Sequence, residues 1–380
     1  MIITSIEPRV VHVNHRGDWV FVCIHTDTGI TGIGEASHSG NDALLLATLQ
    51  HYESLISGAD PSKIQSIRQR LLRLEGGRIS GTALSGIEQA LWDILGQMLE
   101  TPIHQLFGGA LNHRLRLYAN INRHVRDRSP AGFARAAAQA ADEGFTAIKL
   151  APFDELVKPD HVRTGPHAAW HPGVARVRAV RDAVGDAVEV AVDCHNRLDA
   201  AEAMIVADAL MDCRLFWYEE PVHHRQVDDL AQITRAVSMP TASAESVFGV
   251  EGFAPFLSER VVDVLMPDVK HDGGLAETAN IAAAARMRGL AVAPHNPAGP
   301  LATAATAQVI STAPNFYILE YAWGEVPWRS ELLLPAERIE DGCLVVSDLP
   351  GMGHRLNDDV VSMHLAANVS SADSSKVREM

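Results

Sequence analysis

Six ionisable residues recur along the chain, each directly after a short apolar run: Asp193, Glu219, Glu245, Asp268, His295 and Glu320. Successive gaps are 26, 26, 23, 27 and 25 residues, about the length of one strand, one helix and their turns. Three neighbouring carboxylates on one rim (Asp193, Glu219, Glu245) would repel one another without a cation. An oxygen-only, strongly negative set suits a hard divalent ion, Mg²⁺ above all. Acidic residues also cap helices, but three in register after buried strands favour metal over capping. Asp268 and His295 end adjacent runs, where a carboxylate fixes an imidazole tautomer and raises its basicity. His295 is therefore a candidate base, although in Pro294-His295-Asn296-Pro297 it could also be a turn histidine satisfied by backbone. His195, two residues beyond Asp193, is a candidate acid on the other flank, or else a fourth metal ligand. Lys149, inside Ala147-Ile148-Lys149-Leu150, could pair with a substrate carboxylate or with the metal ligands.

Weaker candidates surround these. Arg16, Arg197 and Trp323 are possible substrate contacts with no spacing to enforce them. Lys270, His271 and Asp272 read as a solvated polar cluster in a loop, from which Lys270 could reach a substrate anion.

The elements that must position this ring are legible as a repeat. From about residue 115, short apolar strands alternate with Ala-rich helical segments roughly every 25 residues. Strands are expected near Leu115–Asn120, Thr146–Leu150, Val188–Val192, Leu215–Tyr218, Thr241–Ala244, Val261–Met266, Ala291–Pro294 and Phe316–Leu319. Eight such units fit an α/β closed parallel barrel, whose chemistry collects where the strands end. No GxGxxG opens a helix, so a doubly wound dinucleotide fold is not indicated. Residues 152–171, with Pro159, Pro166 and the irregularly spaced His161, His167 and His171, read as an inserted loop or lid. Upstream, alternating runs broken by Asp27-Thr28-Gly29 predict a small antiparallel sheet, followed by helices over Ile64–Leu74 and Ala83–Leu99. Downstream, Cys343–Val346 is strand-like and residues 370–380 are expected to fray.

Composition narrows the partners. The 380 residues carry a net charge of -15, which disfavours nucleic acid and anionic membrane surfaces. Four cysteines without ligand spacing, with no apolar run of signal or membrane length, point to the cytoplasm.

Taken together, these residues resemble the enolase superfamily, in its mandelate-racemase-like branch, and most of all the acid-sugar dehydratases of galactonate type. The motifs are Ala90-Leu91-Trp92-Asp93-Ile94, Thr101-Pro102, Leu106-Phe107-Gly108-Gly109, Tyr218-Glu219-Glu220-Pro221, Met266-Pro267-Asp268 with Gly273-Gly274, and Leu349-Pro350-Gly351-Met352-Gly353. Asp193-Cys194-His195-Asn196-Arg197 and Ala293-Pro294-His295-Asn296-Pro297 carry the galactonate-type likeness. The resemblance implies a modified TIM barrel, (β/α)7β, over residues 116–325. It implies an N-terminal α+β capping domain over 1–115, completed by the C-terminal segment 326–380. It also implies Mg²⁺ on Asp193, Glu219 and Glu245, His295–Asp268 as base, His195 as acid, and Glu320 as a hydrogen-bond donor to an enediolate oxygen. The substrate would be an aldonate or aldarate, and the protein a homo-oligomer, from dimer to octamer. One departure matters: the paired-lysine motif of the racemases appears here as Lys149-Leu150-Ala151. Losing the second lysine disfavours a racemase built on it, and the muconate-lactonising branch too. An epimerase that returns the proton through His195 and a non-catalytic sugar-acid binder are the alternatives.

Overall fold

The computed structural model describes residues 1–15, 17–37, 40–73, 77–156, 169–258 and 260–366. The chain opens with an antiparallel meander: β1 (Ile3–Asn14), β2 (Gly17–Thr26) and β3 (Thr31–Glu35), in the order β1-β2-β3. Ile3, Ile6, Val11 and Val13 of β1 are buried. Helices α1 (Asp42–Ile56), α2 (Ile64–Leu72), α3 (Gly77–Met98) and α4 (Ile103–Leu106) follow. Asn41 caps α1 by accepting from the Leu44 N–H, and Leu45, Leu49, Tyr52 and Ile56 form its buried stripe at helical spacing. In α3, Ile87, Ala90, Leu91 and Ile94 pack against the meander. Thr82, Ser85, Glu88, Gln89 and Asp93 are also buried. A helix with so many buried polar side chains must satisfy them against other parts of the chain: Thr82, Ser85 and Glu88 meet the barrel loops, Gln89 meets β3 and Val269, and Asp93 meets β3 and the C-terminal return.

The barrel strands are β4 (Arg114–Asn120), β5 (Ala147–Leu150), β6 (Glu189–Asp193), β7 (Tyr218–Glu219), β8 (Thr241–Ser243), β9 (Val264–Leu265), β10 (Ala291–Val292) and β11 (Leu319–Tyr321). Consecutive strands from β4 to β10 pair in parallel, and β11 pairs with β4. A parallel bridge from Val292 to Phe316 closes the ring. Helices α5 (Pro130–Asp142), α6 (His171–Val184), α7 (Ala200–Ala209), α8 (Val227–Ala236), the short pair α9 (Gly249–Gly252) and α10 (Ala254–Ser258), α11 (Leu275–Met287) and α12 (Pro300–Ile310) make the seven connections.

Six of the eight hydrogen-bonded strands are shorter than the apolar runs suggested, β4 and β6 being the exceptions. Val261 and Val262 join the core between strands and helices before the two-residue ladder of β9 begins. His171, expected in the lid, instead opens α6. His161, His167 and the expected fraying tail lie outside the described residues.

After the barrel the chain returns. β12 (Leu333–Leu334) pairs with β15 (Arg355–Leu356), while β13 (Ile339–Glu340) and β14 (Cys343–Val345) form a hairpin whose second strand runs antiparallel to β4. Helix α13 (Asp358–Met363) follows, and Val11 bridges Leu365. Asp93 on α3 accepts from the Met352 N–H at 2.6 Å, tying this return to the N-terminal helices.

Candidate active site

Side chains alternate along a strand, so residues two apart share a face. The barrel interior holds Tyr118, Ala147, Ala191, Trp217, Met266, Ala293 and Ile318 in one layer. Two residues further on stand Asn120, Lys149, Asp193, Glu219, Asp268, His295 and Glu320, the next inward layer at the C-terminal rim. β8 breaks the count. Ala242 is interior, but Ala244 packs in the outer layer with φ +89°, so Glu245, three residues on, is the one that turns inward. A non-glycine residue in that region is strained. His195 (+46°), Asn196 (+50°) and Glu220 (+36°) share a positive φ on the neighbouring loops.

Ligand atoms of Asp193, Glu219 and Glu245 all lie within 4.8 Å of one another. Glu219 Oε1 accepts from Lys149 Nζ at 2.7 Å and Oε2 from Trp217 Nε1 at 2.8 Å. Lys149 also lies 3.1 Å from Glu320 Oε1 and 3.7 Å from Asp193 Oδ2. Lys149 is 1% exposed, and its ammonium sits among carboxylates. Burial pulls the Lys149 pKa down, yet Glu219 and Glu320 hold it well above the usual lysine value. Burial raises Glu219, Lys149 opposes, and Asp193 and Glu320 add repulsion, leaving it at about 8. Burial and then Glu220, Asp193 and Glu219 push Glu245 well above the carboxylate range. Glu245 Oε2 is buried and 3.2 Å from His295 Nε2, but out of hydrogen-bonding alignment.

The two histidines lie on opposite flanks of this group. His295 Nδ1 donates to Asp268 Oδ2 at 2.7 Å, which leaves Nε2 as the acceptor. Burial lowers the His295 pKa more than Glu320 and Asp268 raise it, so it is neutral near pH 7 and able to take a proton. His195 Nε2 lies 2.8 Å from Asp193 Oδ2, and its Nδ1 lies 2.5 Å from Asp154 Oδ1. Burial opposes the charge on His195, but Asp193 and Asp154 raise its pKa well above the usual value, so it carries a proton to give. Environments that drive two titratable groups apart are how acid and base roles separate.

Glu320 accepts from Asn120 Nδ2 at 2.7 Å and from the Asn296 N–H at 2.8 Å. Burial raises its pKa, but Lys149 and His295 bring it below the ordinary value. In this arrangement both of its carboxyl oxygens accept hydrogen bonds. Lys270, expected to be solvated, is 0% exposed and donates to Asp268 Oδ2 at 2.6 Å. It cannot reach a substrate anion; it keeps Asp268 ionised. His271 and Asp272 are buried with it, because α3 lies over the loop. Trp323 is no substrate contact either: it is buried against His124 and its indole N–H donates to Glu143 at 2.6 Å. Arg197 is half-buried, and its Nε has no hydrogen-bond partner among the described residues. Arg16 lies outside the described residues.

Asp154, the partner of His195, went unseen in the sequence because it comes from a loop with no periodic signal. It also accepts from Asn122 Nδ2 at 3.0 Å. Asn120 could have been found by extending the strand-end rule to β4.

The chain belongs to the mandelate racemase / muconate lactonizing enzyme family of the enolase superfamily. Residues 5–108 match the N-terminal domain of the former and residues 132–360 the enolase C-terminal domain-like family. A D-xylonate dehydratase of Haloferax volcanii is 33% identical over 376 residues, 96% of this chain and 89% of that protein. A D-galactonate dehydratase of Verminephrobacter eiseniae is 32% identical over 352 residues, 90% of each. Among solved structures, a mandelate racemase/muconate lactonizing enzyme from a Jannaschia species superposes with a TM-score of 0.87 at 28% identity, over 97% of this chain and 99% of that one. Among the described residues, no helix is long and apolar enough to cross a membrane.

Proposed function

We propose that this protein is a Mg²⁺-dependent hydro-lyase that dehydrates an aldonate or aldarate to a 2-keto-3-deoxy acid. The observation that carries the reading is the placement of two carboxylate-backed histidines, His295 on Asp268 and His195 on Asp154, on two flanks of one three-carboxylate centre. The donor set fits the ion: all ligands are oxygens, Asp193 and Glu219 are buried, and the pKa values of Glu219 and Glu245 are raised by burial and then by repulsion from neighbouring carboxylates, which a cation would relieve. Asp193, Glu219 and Glu245 would hold it. When bound, Mg²⁺ supplies electrostatic stabilisation of the charge that develops on the substrate carboxylate as the α-proton leaves.

The remaining work falls to side chains. His295 Nε2 takes the α-proton, its tautomer fixed by Asp268, and the C–H electron pair moves into a carbon–carbon double bond to give an enediolate. Lys149, the ammonium at the rim, balances the added negative charge. His195 passes its Nε2 proton to the β-hydroxyl, which leaves as water, and the enol tautomerises to the keto acid. A cation on Asp193 would weaken that carboxylate's hold on the His195 proton, leaving Asp154 to orient the ring. Arg197, with its unpartnered Nε, would meet the substrate's distal polar groups. The same reading takes residues 1–115 and 326–380 as the cap over a 116–325 barrel, in a cytoplasmic homo-oligomer.

The test is a panel of aldonates and aldarates, D-xylonate and D-galactonate included, assayed for 2-keto acid in ordinary and heavy water. Formation of keto acid from one member supports dehydration. Deuterium at the α-carbon without keto acid would make the protein an epimerase, and binding without either reaction would make it a sugar-acid binder.

A further inference from the structure

Two loops carry the base half of the site. One runs from β9 through Asp268 to α11, the other from β10 through His295 to α12. Both helices begin at a glycine, Gly274 and Gly299, and neither has a side chain of its own capping it. Free N–H groups at a buried helix start must find acceptors. They find them on the N-terminal α+β unit. Glu88 of α3 accepts from the Leu275 N–H at 2.7 Å and the Ala276 N–H at 3.0 Å. Glu35, at the end of β3, accepts from the Gly299 N–H and the Ala302 N–H, each at 2.8 Å. Glu35 is 0% and Glu88 2% exposed.

The glycines are what let the carboxylates in. A Cβ on Gly274 would stand 2.2 Å from Glu88 Oε2, and one on Gly299 would stand 2.7 Å from Glu35 Oε2. The same device is thus built twice, once on each base-bearing loop. Other α3 side chains hold the first loop along its length: Thr82 meets His271 Nδ1 at 2.9 Å, Ser85 accepts from the Gly273 N–H at 3.1 Å, and Gln89 donates to Val269 O at 3.4 Å. Gln89 also donates to Glu35 O at 3.1 Å, joining the two clamps. The acid half differs. Helix α7, which follows His195, has its own capping box: Asp199 accepts from the Glu202 N–H at 2.8 Å and the Glu202 side chain returns to the Asp199 N–H.

We infer that Glu35 and Glu88 are positioning residues for proton abstraction, holding the His295 and Asp268 loops in register from outside the barrel, while the His195 side of the site is self-contained. The inference rests on the assignment of His295 as base. Glutamine at either position keeps the shape but turns one acceptor into a donor facing an N–H.

The experiment uses the full chain, Mg²⁺ and α-deuterated D-galactonate, or α-deuterated D-xylonate where that is the panel's substrate. Glu88→Gln and Glu35→Gln are each expected to lower kcat by about ten- to a hundredfold, the range for a small misplacement of a reacting group. KM should stay within about threefold, and the α-deuterium isotope effect on kcat should rise as abstraction becomes slower. Asn41→Ala, which uncaps α1 far from the site, should lower thermal stability without raising the isotope effect. Gly299→Ala presses on Glu35 from the barrel side at a residue without a positive φ, and should reproduce Glu35→Gln even where a glutamine variant folds poorly. Unchanged kcat and isotope effect in these variants, or a kcat loss with no rise in isotope effect, would overturn the inference. A wild-type enzyme that turns over with neither α-exchange nor an α-deuterium effect would instead remove His295 as base, and the inference with it.

Discussion

Asp268 offers the sharpest perturbation. Its Oδ2 accepts both Lys270 Nζ at 2.6 Å and His295 Nδ1 at 2.7 Å, and neither member of the Asp268–Lys270 pair has any exposed side-chain surface. Asp268→Asn therefore does two things. It strands a buried ammonium, which costs on the order of 3–5 kcal/mol of stability with no solvent screening to soften it. It also removes the charge that fixes the His295 tautomer and stabilises its protonated form, a loss on the order of 10³–10⁴ in kcat where a buried carboxylate supports a catalytic histidine. A second substitution separates the effects. Asp268→Asn with Lys270→Met removes the stranded charge, so chemical denaturation should show most of the stability regained while kcat stays low. Should the double variant recover turnover along with stability, Asp268 would be merely the counter-ion of Lys270, and the dyad argument would be wrong.

Further outcomes follow from the same geometry. His295→Asn should abolish both α-deuterium exchange and keto-acid formation. His195→Asn should keep exchange and lose keto-acid formation, each loss about 10²–10⁴-fold by steady-state assay; equal loss of exchange in both would contradict separate roles. Glu88 has a folded-state pKa of about 7 against an ordinary 4.5, raised by burial against its hydrogen bonds from Ala276, Trp92 and Leu275. A raised carboxyl favours the folded state when protonated, so its contribution is full below about pH 4.5 and lost as pH rises through 7, on the order of 3 kcal/mol in all. Denaturation midpoints of Glu88→Gln should accordingly vary less between pH 5 and 7.5 than those of the wild type. Chelation of divalent ions should stop turnover and lower the thermal midpoint, with Mg²⁺ restoring both; full activity in excess chelator would rule out the metal reading.

The ring of strand-end residues was legible because a barrel repeats. Each 23- to 27-residue step returns the chain to the same rim, so spacing alone collected Asp193, Glu219, Glu245, Asp268, His295 and Glu320. Features set by contacts between distant segments were not legible. Lys270-His271-Asp272 looked solvated because its composition is polar; it is buried because a helix nearly 190 positions earlier covers it. Asp154 comes from an aperiodic loop and carried no signal. The strained Ala244, which turns Glu245 inward, could not be foreseen from a small residue at a strand end. Most strand limits, that of β9 above all, were overestimated because apolar runs report burial, and residues such as Val261 and Val262 are buried before the backbone ladder begins.

The clamps on α11 and α12 also bear on the order in which the molecule can be assembled. Glu88 waits 187 residues for Leu275, and Glu35 waits 264 for Gly299, so during synthesis both carboxyls emerge long before the amides they serve. Contacts this remote form late, after the entropy of closing very large loops has been overcome. The base loops are therefore among the last parts to mature, and a chain ending before residue 300 would lack both the Ala302 amide that Glu35 holds and the strand β11 that closes the barrel on β4.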